Sequence, residues 1–560
     1  MGLIVNNKVG VATAAFLTAG FAVTPAIAAD NYKFDFGDGP VAAGFTQVKS
    51  NATFSEKLGY GFESGSVESV DRLWDDDLKT DFLTAKGEMV FSVVLPQGNY
   101  EITFIFGDGE NESETTVWAE NRKLIFDRVT TAGGVFSTQT VSLRRMEKKS
   151  IDGSVTMSLK DRENGYRTWD NKLTFTITGK SPAVAGIEIK RNDNVTTLWL
   201  CGNSTVVDQL TAPWSGWGQM ASGFFKPSLA IANYAESGLT ASGFYSMRRL
   251  NKILAEAKPG DYVTVQFAHN DQKNANDVAN YEATLTKYVN DIKAKGAIPL
   301  FVTSTARQGE LDPKMSVGGL PEKMRALAKK LNVVYLDLNQ HSINLQNALG
   351  SDKEKMYMYT AKDKTHFCEY GAYELARSIV EEIKAKVPAL AAHLREDHVG
   401  FDSNKPDAFD VLTIAKTPIT EGGLIQAEES SSSAAESSSS EWGEVTQSSS
   451  SDETVLSSSS IGVTDTTIES SSSAVADSLG GAAIKNVAKA FSGWRVEKNG
   501  SAFTLNAATE AVTARVFDMN GRLIAAKNVA AGMSWTIPTN NMALLLQVKI
   551  GNRVNMVRLK

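Results

Sequence analysis

Leu198-Trp199-Leu200-Cys201-Gly202-Asn203-Ser204-Thr205 is the stretch that decides the fold. A short apolar, strand-forming run drops into Gly-Asn-Ser-Thr, as a buried parallel strand does when its carboxyl end becomes a tight turn. In open α/β sheets, ligands bind beyond that end of the strands. A serine there can present its hydroxyl with backbone N–H groups beside it, as a nucleophile requires. Ser204 then needs a base, an acid to orient the base, and donors for an oxyanion.

Downstream, apolar runs at Asp261–Phe267, Ile298–Thr303 and Val333–Leu338 alternate with helical patterns over Asn280–Lys295, Pro321–Leu331 and Tyr370–Lys386. Such alternation builds a parallel sheet covered on both faces. The α/β domain is expected over 195–394, ample for a core of its own. Residues 395–427 are poorly patterned and read as an irregular extension.

Upstream, over 30–190, the period falls to two. Tyr100, Ile102, Phe104 and Phe106 alternate with Glu101, Thr103 and Ile105, and turns such as Gly107-Asp108-Gly109 separate the runs. This reads as an antiparallel β-sandwich. Exposed aromatics on such a module can serve as sugar platforms, with Trp74, Trp118, Tyr166 and Trp169 as candidates, although an aromatic in a sandwich is more often core.

The ends of the chain carry other signals. Lys8, the apolar run Val11–Val23 and Ala26-Ile27-Ala28-Ala29 have the form of a cleaved secretory signal over 1–29, and the run is too short for a spanning helix. No other segment is long and apolar enough to cross a bilayer. Between Glu428 and Ser473, five runs of four serines are spaced by nine acidic residues with no Lys or Arg. That composition buries too little apolar surface to order itself and reads as a disordered linker. Because it holds more acid than the overall charge of −7, the folded parts are near neutral. Nothing marks a nucleic-acid binder, which would show a concentrated basic face. Residues 483–560 alternate again, with the hairpin pair Asn520-Gly521, and read as a small β-domain.

Four short stretches of the α/β domain converge at the carboxyl edge of the expected sheet. They are Ser204, Gly238 in Glu236-Ser237-Gly238, Asn270 in His269-Asn270-Asp271, and the pair Asp363 and His366. His366 can take the Ser204 proton near neutral pH, and Asp363 can accept the Nδ1–H of His366. The N–H groups of Ser204 and Gly238 and the Asn270 amide can serve a tetrahedral oxyanion. His269 reads as a supporting residue rather than the base, and His341, His393 and His398 as surface or packing residues. No cluster has zinc-like spacing and no phosphate loop appears, so neither metal nor cofactor is expected.

Gly202-Asn203-Ser204-Thr205, Gly238, His269-Asn270-Asp271 and Asp363-Lys364-Thr365-His366 resemble blocks one, two, three and five of the SGNH (GDSL-like) hydrolases. With Gly216-Trp217-Gly218-Gln219 and Val265-Gln266-Phe267, the chain is similar to the rhamnogalacturonan acetylesterase branch, carbohydrate esterase family 12. The resemblance covers 196–385 and implies a flavodoxin-like α/β/α fold. It also implies a metal-independent Ser204–His366–Asp363 triad with oxyanion positions at Ser204, Gly238 and Asn270, and removal of acetyl groups from plant cell-wall polysaccharide. Two positions depart from the pattern: Asn203 stands where the first block usually has an acid, and Leu239 where an arginine often follows the second-block glycine.

The front part, with Phe34-Asp35-Phe36-Gly37-Asp38-Gly39, looks like the galactose-binding-like sandwich that precedes many esterases of this branch. The tail, with Ala514-Arg515-Val516-Phe517-Asp518, is similar to sorting domains of the type IX secretion system. That likeness implies contact with secretion machinery and a place outside the cell or on its surface. With the triad assembled, Cys201 and Cys368 lie near each other in the chain's fold, and two expectations stand: a disulfide between them, or two buried thiols. The leading reading is an exported acetylesterase. A lipase or thioesterase of the same superfamily, or a non-catalytic polysaccharide-binding protein, stands behind it.

Overall fold

The computed structural model describes residues 30–72, 76–357 and 363–409, together with the strands and some turns between 487 and 559. The expected signal peptide, the Ser-rich linker, Trp74 and the Asn520-Gly521 turn lie outside the described residues. The chain divides into two compact units, before and after residue 420.

Period-two alternation produces the first part of the upstream unit. Its strands are β1 (Asn31–Phe36), β2 (Thr46–Val48), β3 (Tyr60–Asp71), β4 (Asp81–Val94), β5 (Gly98–Phe106), β6 (Ser113–Ala119), β7 (Lys123–Thr131), β8 (Ser137–Arg145), β9 (Lys172–Ser181) and β10 (Val184–Arg191). The inward residues of β5, from Tyr100 to Phe106, are fully buried. One group of strands (β1, β10, β5, β8) and another (β3, β4, β9, β6, β7) share a core and meet where Val184 pairs with Leu83. Edge-to-face ring pairs cross that core, Phe104 on Phe175 and Phe34 on Phe91, both at 5.3 Å. Two of the candidate sugar platforms, Trp118 and Trp169, are otherwise engaged. Trp118 is fully buried, and Trp169 packs on Tyr234 while its Nε1–H donates to Glu163.

The parallel sheet follows. Its strands β11 (Thr196–Cys201), β12 (Leu229–Asn233), β13 (Tyr262–Val265), β14 (Ile298–Val302) and β15 (Val334–Leu336) take the order β15-β14-β13-β11-β12. Helices α1 (Arg249–Glu256), α2 (Ala275–Ala294), α3 (Leu320–Leu331), α4 (Leu338–Leu349) and α5 (Glu369–Lys386) cover it. Alternation along β11 sorts the two faces. Leu198 and Leu200 join Leu375, Ile379 and Ile383 of α5, while Trp199 and Cys201 join the apolar residues of α1, α2 and α3. From Arg395 to Phe409 the chain runs along α5 without helix or strand. There the Tyr370 hydroxyl donates to the Asp407 carbonyl and Arg377 sits over the Phe401 ring.

The same alternation decides the cysteines, and the disulfide alternative is corrected. Cys201 and Cys368 are both free and buried. Cys201 faces the α1–α3 side and Cys368 belongs to the α5 side, so the sheet stands between the two sulfurs. Burial pushes both thiols above their ordinary range.

The sandwich and the α/β part, expected as separate domains, share one sheet. β8 is antiparallel to β5 on one side and parallel to β12 on the other, with Ser142 opposite Ala230 and Leu143 opposite Ile231. A sheet edge carries unpaired N–H and C=O groups, and β8 covers the edge that β12 would otherwise expose. A second attachment is ionic. The short turn Asp161–Gly165, between β8 and β9, inserts Glu163 against Arg249 of α1. Both side chains are essentially inaccessible, and Arg249 also donates to the Tyr234 carbonyl. Removing one partner of a buried pair strands the other charge. Arg249→Met is therefore expected to lower the unfolding free energy of this unit by about 3–5 kcal/mol. Urea denaturation checks this, and an unmoved midpoint contradicts it.

In the downstream unit, strands β16 (Val487–Phe491), β17 (Trp494–Asn499), β18 (Ala502–Ala507), β19 (Val512–Asp518), β20 (Leu523–Val529), β21 (Ser534–Ile537), β22 (Leu544–Ile550) and β23 (Arg553–Leu559) form two four-stranded antiparallel sheets. They enclose a small core of Trp494, Val496, Leu505, Ala514, Leu546 and Val548.

Candidate active site

Three loops leave the carboxyl ends of β11, β12 and β13, and a fourth precedes α5. In the first, Gly202 is required by close approach, since a Cβ there would lie 2.5 Å from a Val206 methyl. Asn203 is fully buried, and its Oδ1 accepts from the backbone N–H (3.3 Å) and hydroxyl (3.1 Å) of Thr205. The neutral amide closes the turn in the manner of an Asx motif. Gln266, after β13, accepts from the Trp217 indole N–H at 2.7 Å and donates to the Thr205 hydroxyl at 2.9 Å. These residues thus lock the turn that carries Ser204.

His366 joins Ser204 to Asp363. Its Nε2 lies 2.8 Å from the Ser204 hydroxyl oxygen and its Nδ1 lies 2.7 Å from Asp363 Oδ2. An ionised carboxylate only accepts, which assigns the proton to Nδ1 and leaves the Nε2 lone pair facing the Ser204 O–H. Burial by itself would raise the Asp363 carboxyl. The hydrogen bond and charge of His366, with the backbone N–H groups of His366 and Thr365, outweigh it and bring the carboxyl down to about 2. Asp363 is therefore a carboxylate throughout the neutral range.

The oxyanion candidates are drawn to the same place. Gln209 donates to the Ser204 carbonyl at 2.8 Å and reaches the Ser237 hydroxyl at 3.4 Å, while Glu236 N–H donates to the Gly202 carbonyl at 3.2 Å. Gly238 has φ +76°, a conformation that favours glycine. Asn270 donates to the Leu239 carbonyl at 3.1 Å, and its Oδ1 accepts from the Lys273 ammonium at 3.2 Å. Among the described residues, neither the Ser204 N–H nor the Gly238 N–H donates to a protein acceptor.

His269 stands apart from this relay. It is buried, Nε2–H donates to the Thr305 carbonyl at 2.8 Å, and burial with the nearby Arg307 charge pushes it down to about 3. It is a neutral structural imidazole at ordinary pH. His341 meets Ser403 and Glu382, His393 meets Ser228, and His398 meets Glu381. Among the described residues no group of His, Cys, Asp and Glu is arranged to hold a metal, and no helix is long and apolar enough to cross a membrane.

Several functional neighbours escape a reading of the sequence. Arg122, in the turn between β6 and β7, donates to the carbonyls of Gln209 (3.1 Å) and Trp214 (3.0 Å) and pairs with Glu369, three residues beyond His366. Lys160 and Arg162 both donate to the Ser237 carbonyl, and Arg162 also pairs with the buried Glu236. All three come from the part of the chain that reads as a separate module, so no local pattern announces them.

Residues 200–372 match the GDSL-like lipase/acylhydrolase family, and residues 32–140 match the galactose-binding domain-like part of β-agarase/YxiM esterase-like proteins. The chain is 33% identical over 218 residues to the rhamnogalacturonan acetylesterase RhgT of Bacillus subtilis (strain 168), covering 35% of this chain and 93% of that protein. It is 26% identical over 373 residues to YxiM of the same organism, an uncharacterised esterase, covering 63% of this chain and 90% of the other. The crystal structure of the Bacillus subtilis YxiM protein aligns with a TM-score of 0.34 at 24% identity, over 63% of this chain and 98% of that one.

Proposed function

The chain belongs to the GDSL-like lipase/acylhydrolase family and is a serine esterase, and we propose that it removes O-acetyl groups from plant cell-wall polysaccharide. Rhamnogalacturonan is the first substrate of this reading and acetylated xylan the next. The observation that carries it is the Ser204–His366–Asp363 relay, with two hydrogen bonds of 2.8 and 2.7 Å in series. Similarity to a rhamnogalacturonan acetylesterase over nearly its whole length supports the choice of polymer.

In this reading Ser204 Oγ attacks the acetyl carbonyl carbon while His366 Nε2 takes its proton. The negative oxygen is met by the N–H groups of Ser204 and Gly238 and by the Asn270 amide. His366 returns the proton to the departing sugar hydroxyl, leaving acetyl-Ser204. A water molecule, deprotonated by His366, then attacks the acetyl carbon and frees acetate, and the proton returns to Ser204. Asp363 holds the imidazole in one tautomer and balances its charge through both halves. Neither metal nor cofactor enters. The signal-like N-terminus and the Ser-rich linker support export of the enzyme, and the sorting-like tail is read as its address.

Acetate released from acetylated pectin and from acetylated xylan, measured side by side on the full chain, tests the proposal. Release from both, faster from pectin, is expected. A protein that hydrolyses p-nitrophenyl acetate but frees no acetate from either polymer contradicts the polysaccharide reading.

A further inference from the structure

The turn Asp161–Gly165 does more than fasten the sandwich to the α/β part. Lys160 and Arg162, at the start of that turn, both donate to the carbonyl oxygen of Ser237, Arg162 at 2.8 Å. That oxygen and the N–H of Gly238 belong to one peptide unit. A trans peptide is planar, so its N–H points opposite to its C=O, and fixing the oxygen fixes the direction of the N–H. The fixing matters because residue 238 is glycine, which takes positive and negative φ with similar ease. An unrestrained peptide before it can turn over and aim its N–H away from the site.

The chemistry of the two donors adds to the geometry. Hydrogen bonds from charged donors are roughly twice as strong as neutral ones. Drawing electron density toward the oxygen also leaves the N–H at the other end a better donor. Lys160 is close enough that a Cβ built on Gly238 would lie 3.2 Å from its ammonium nitrogen. The turn that presents the cations is itself held on two sides, by Glu163 on Arg249 and by Arg162 on Glu236. Its own Lys160 N–H is capped by Glu163 at 2.8 Å.

We propose that Lys160, with Arg162, is a positioning residue that orients and polarises the Ser237–Gly238 peptide as an oxyanion donor, making the N-terminal β-rich part a component of the catalytic apparatus and not a detachable binding module. The inference rests on the esterase reading above and deepens it. It assigns Lys160 an effect on the transition state rather than on recognition of the sugar.

The test uses the full chain and p-nitrophenyl acetate, a substrate with no sugar to recognise. Losing an oxyanion donor costs ~10²–10³ in rate, and Arg162 still holds the same oxygen when Lys160 is gone. Lys160→Met is therefore expected to lower kcat by roughly 10–50-fold, with KM moved by no more than about twofold. Lys160→Arg, which keeps charge and donor, is expected to recover most of the loss. Thermal unfolding midpoints accompany each variant, and rates are read well below the lowest of them, so the contrast between arginine and methionine decides even if methionine weakens the fold. A kcat for Lys160→Met within about twofold of the parent overturns the proposal, as does a raised KM at unchanged kcat, or an arginine variant no better than methionine. Failure of the esterase reading is a different result, turnover that survives Ser204→Ala, and it removes the premise instead.

Discussion

Ser204→Ala is expected to lower kcat by roughly 10⁶-fold, on p-nitrophenyl acetate and on acetylated polysaccharide alike. The size follows from what the hydroxyl does. In the proposed reaction it supplies the atom that bonds the acetyl carbon, and neither chain neighbour can take its place: Asn203 is buried within its own turn, and Thr205 is turned toward Gln266 and Asn203. The fold has little to lose, because among the described residues the side chain of Ser204 is tied only to His366. Unfolding midpoints should therefore match while turnover collapses. A variant retaining a tenth of parental turnover would move the nucleophile elsewhere.

Asp363→Asn is expected to cost about 10⁴-fold in kcat at neutral pH while leaving the geometry in place. The amide can offer an N–H to His366 Nδ1, which favours the tautomer with its proton on Nε2. That nitrogen then faces Ser204 as a donor and cannot accept its proton. Stability gives an independent check with a definite sign. The native carboxyl is depressed to about 2, below its unfolded value of about 4. Its contribution is therefore fully present above pH 4 and is lost as pH falls through 2. The asparagine variant should start lower in stability and fall less steeply across that window. Parallel acid-unfolding profiles for the two proteins would contradict the assigned charge.

Much of this arrangement is legible in the sequence because its causes are local. A strand buried on both faces reads as a continuous apolar run, so β11, β13 and β14 can be found from hydrophobicity alone. The helices α2, α3 and α5 follow from their periodicity, each observed within a few residues of its expected bounds. Ser204 stands out because it follows the end of such a strand, and Asp363 and His366 because they sit just before a helix. What the sequence hides is what depends on distant pairing. The parallel contact of β8 with β12 joins residues 88 apart, as Ser142 meets Ala230, and nothing within either short run names its partner. The same holds for Arg122, Lys160 and Arg162, whose partners lie beyond the apparent domain boundary. The cysteine pair shows the opposite failing. Nearness to the nucleophile and to the base suggests a bridge, yet the parity of Cys201 along its strand sends its sulfur to the other face of the sheet.

Gln219 shows how a residue legible only as part of a motif acquires a physical role. It donates to the Arg122 carbonyl at 2.6 Å and accepts from the Gln209 N–H at 3.1 Å, so the Gly-Trp-Gly-Gln segment connects the sandwich turn to the nucleophile loop. Arg122, Lys160 and Arg162, all from the sandwich part of the chain, then brace the loops around Ser204, His366 and Gly238. The catalytic part is thereby built on two stretches of chain that composition and periodicity assign to different domains.

Trapping of the acyl-enzyme shows which side chain carries the acetyl group. The full chain is mixed with p-nitrophenyl acetate, quenched in acid within the first turnover, digested and examined by mass spectrometry. One acetyl group is predicted on the peptide that contains Ser204, and none in the Ser204→Ala protein. An acetyl group on another residue that turns over at the catalytic rate would contradict the account, as would full turnover with Ser204 never acylated.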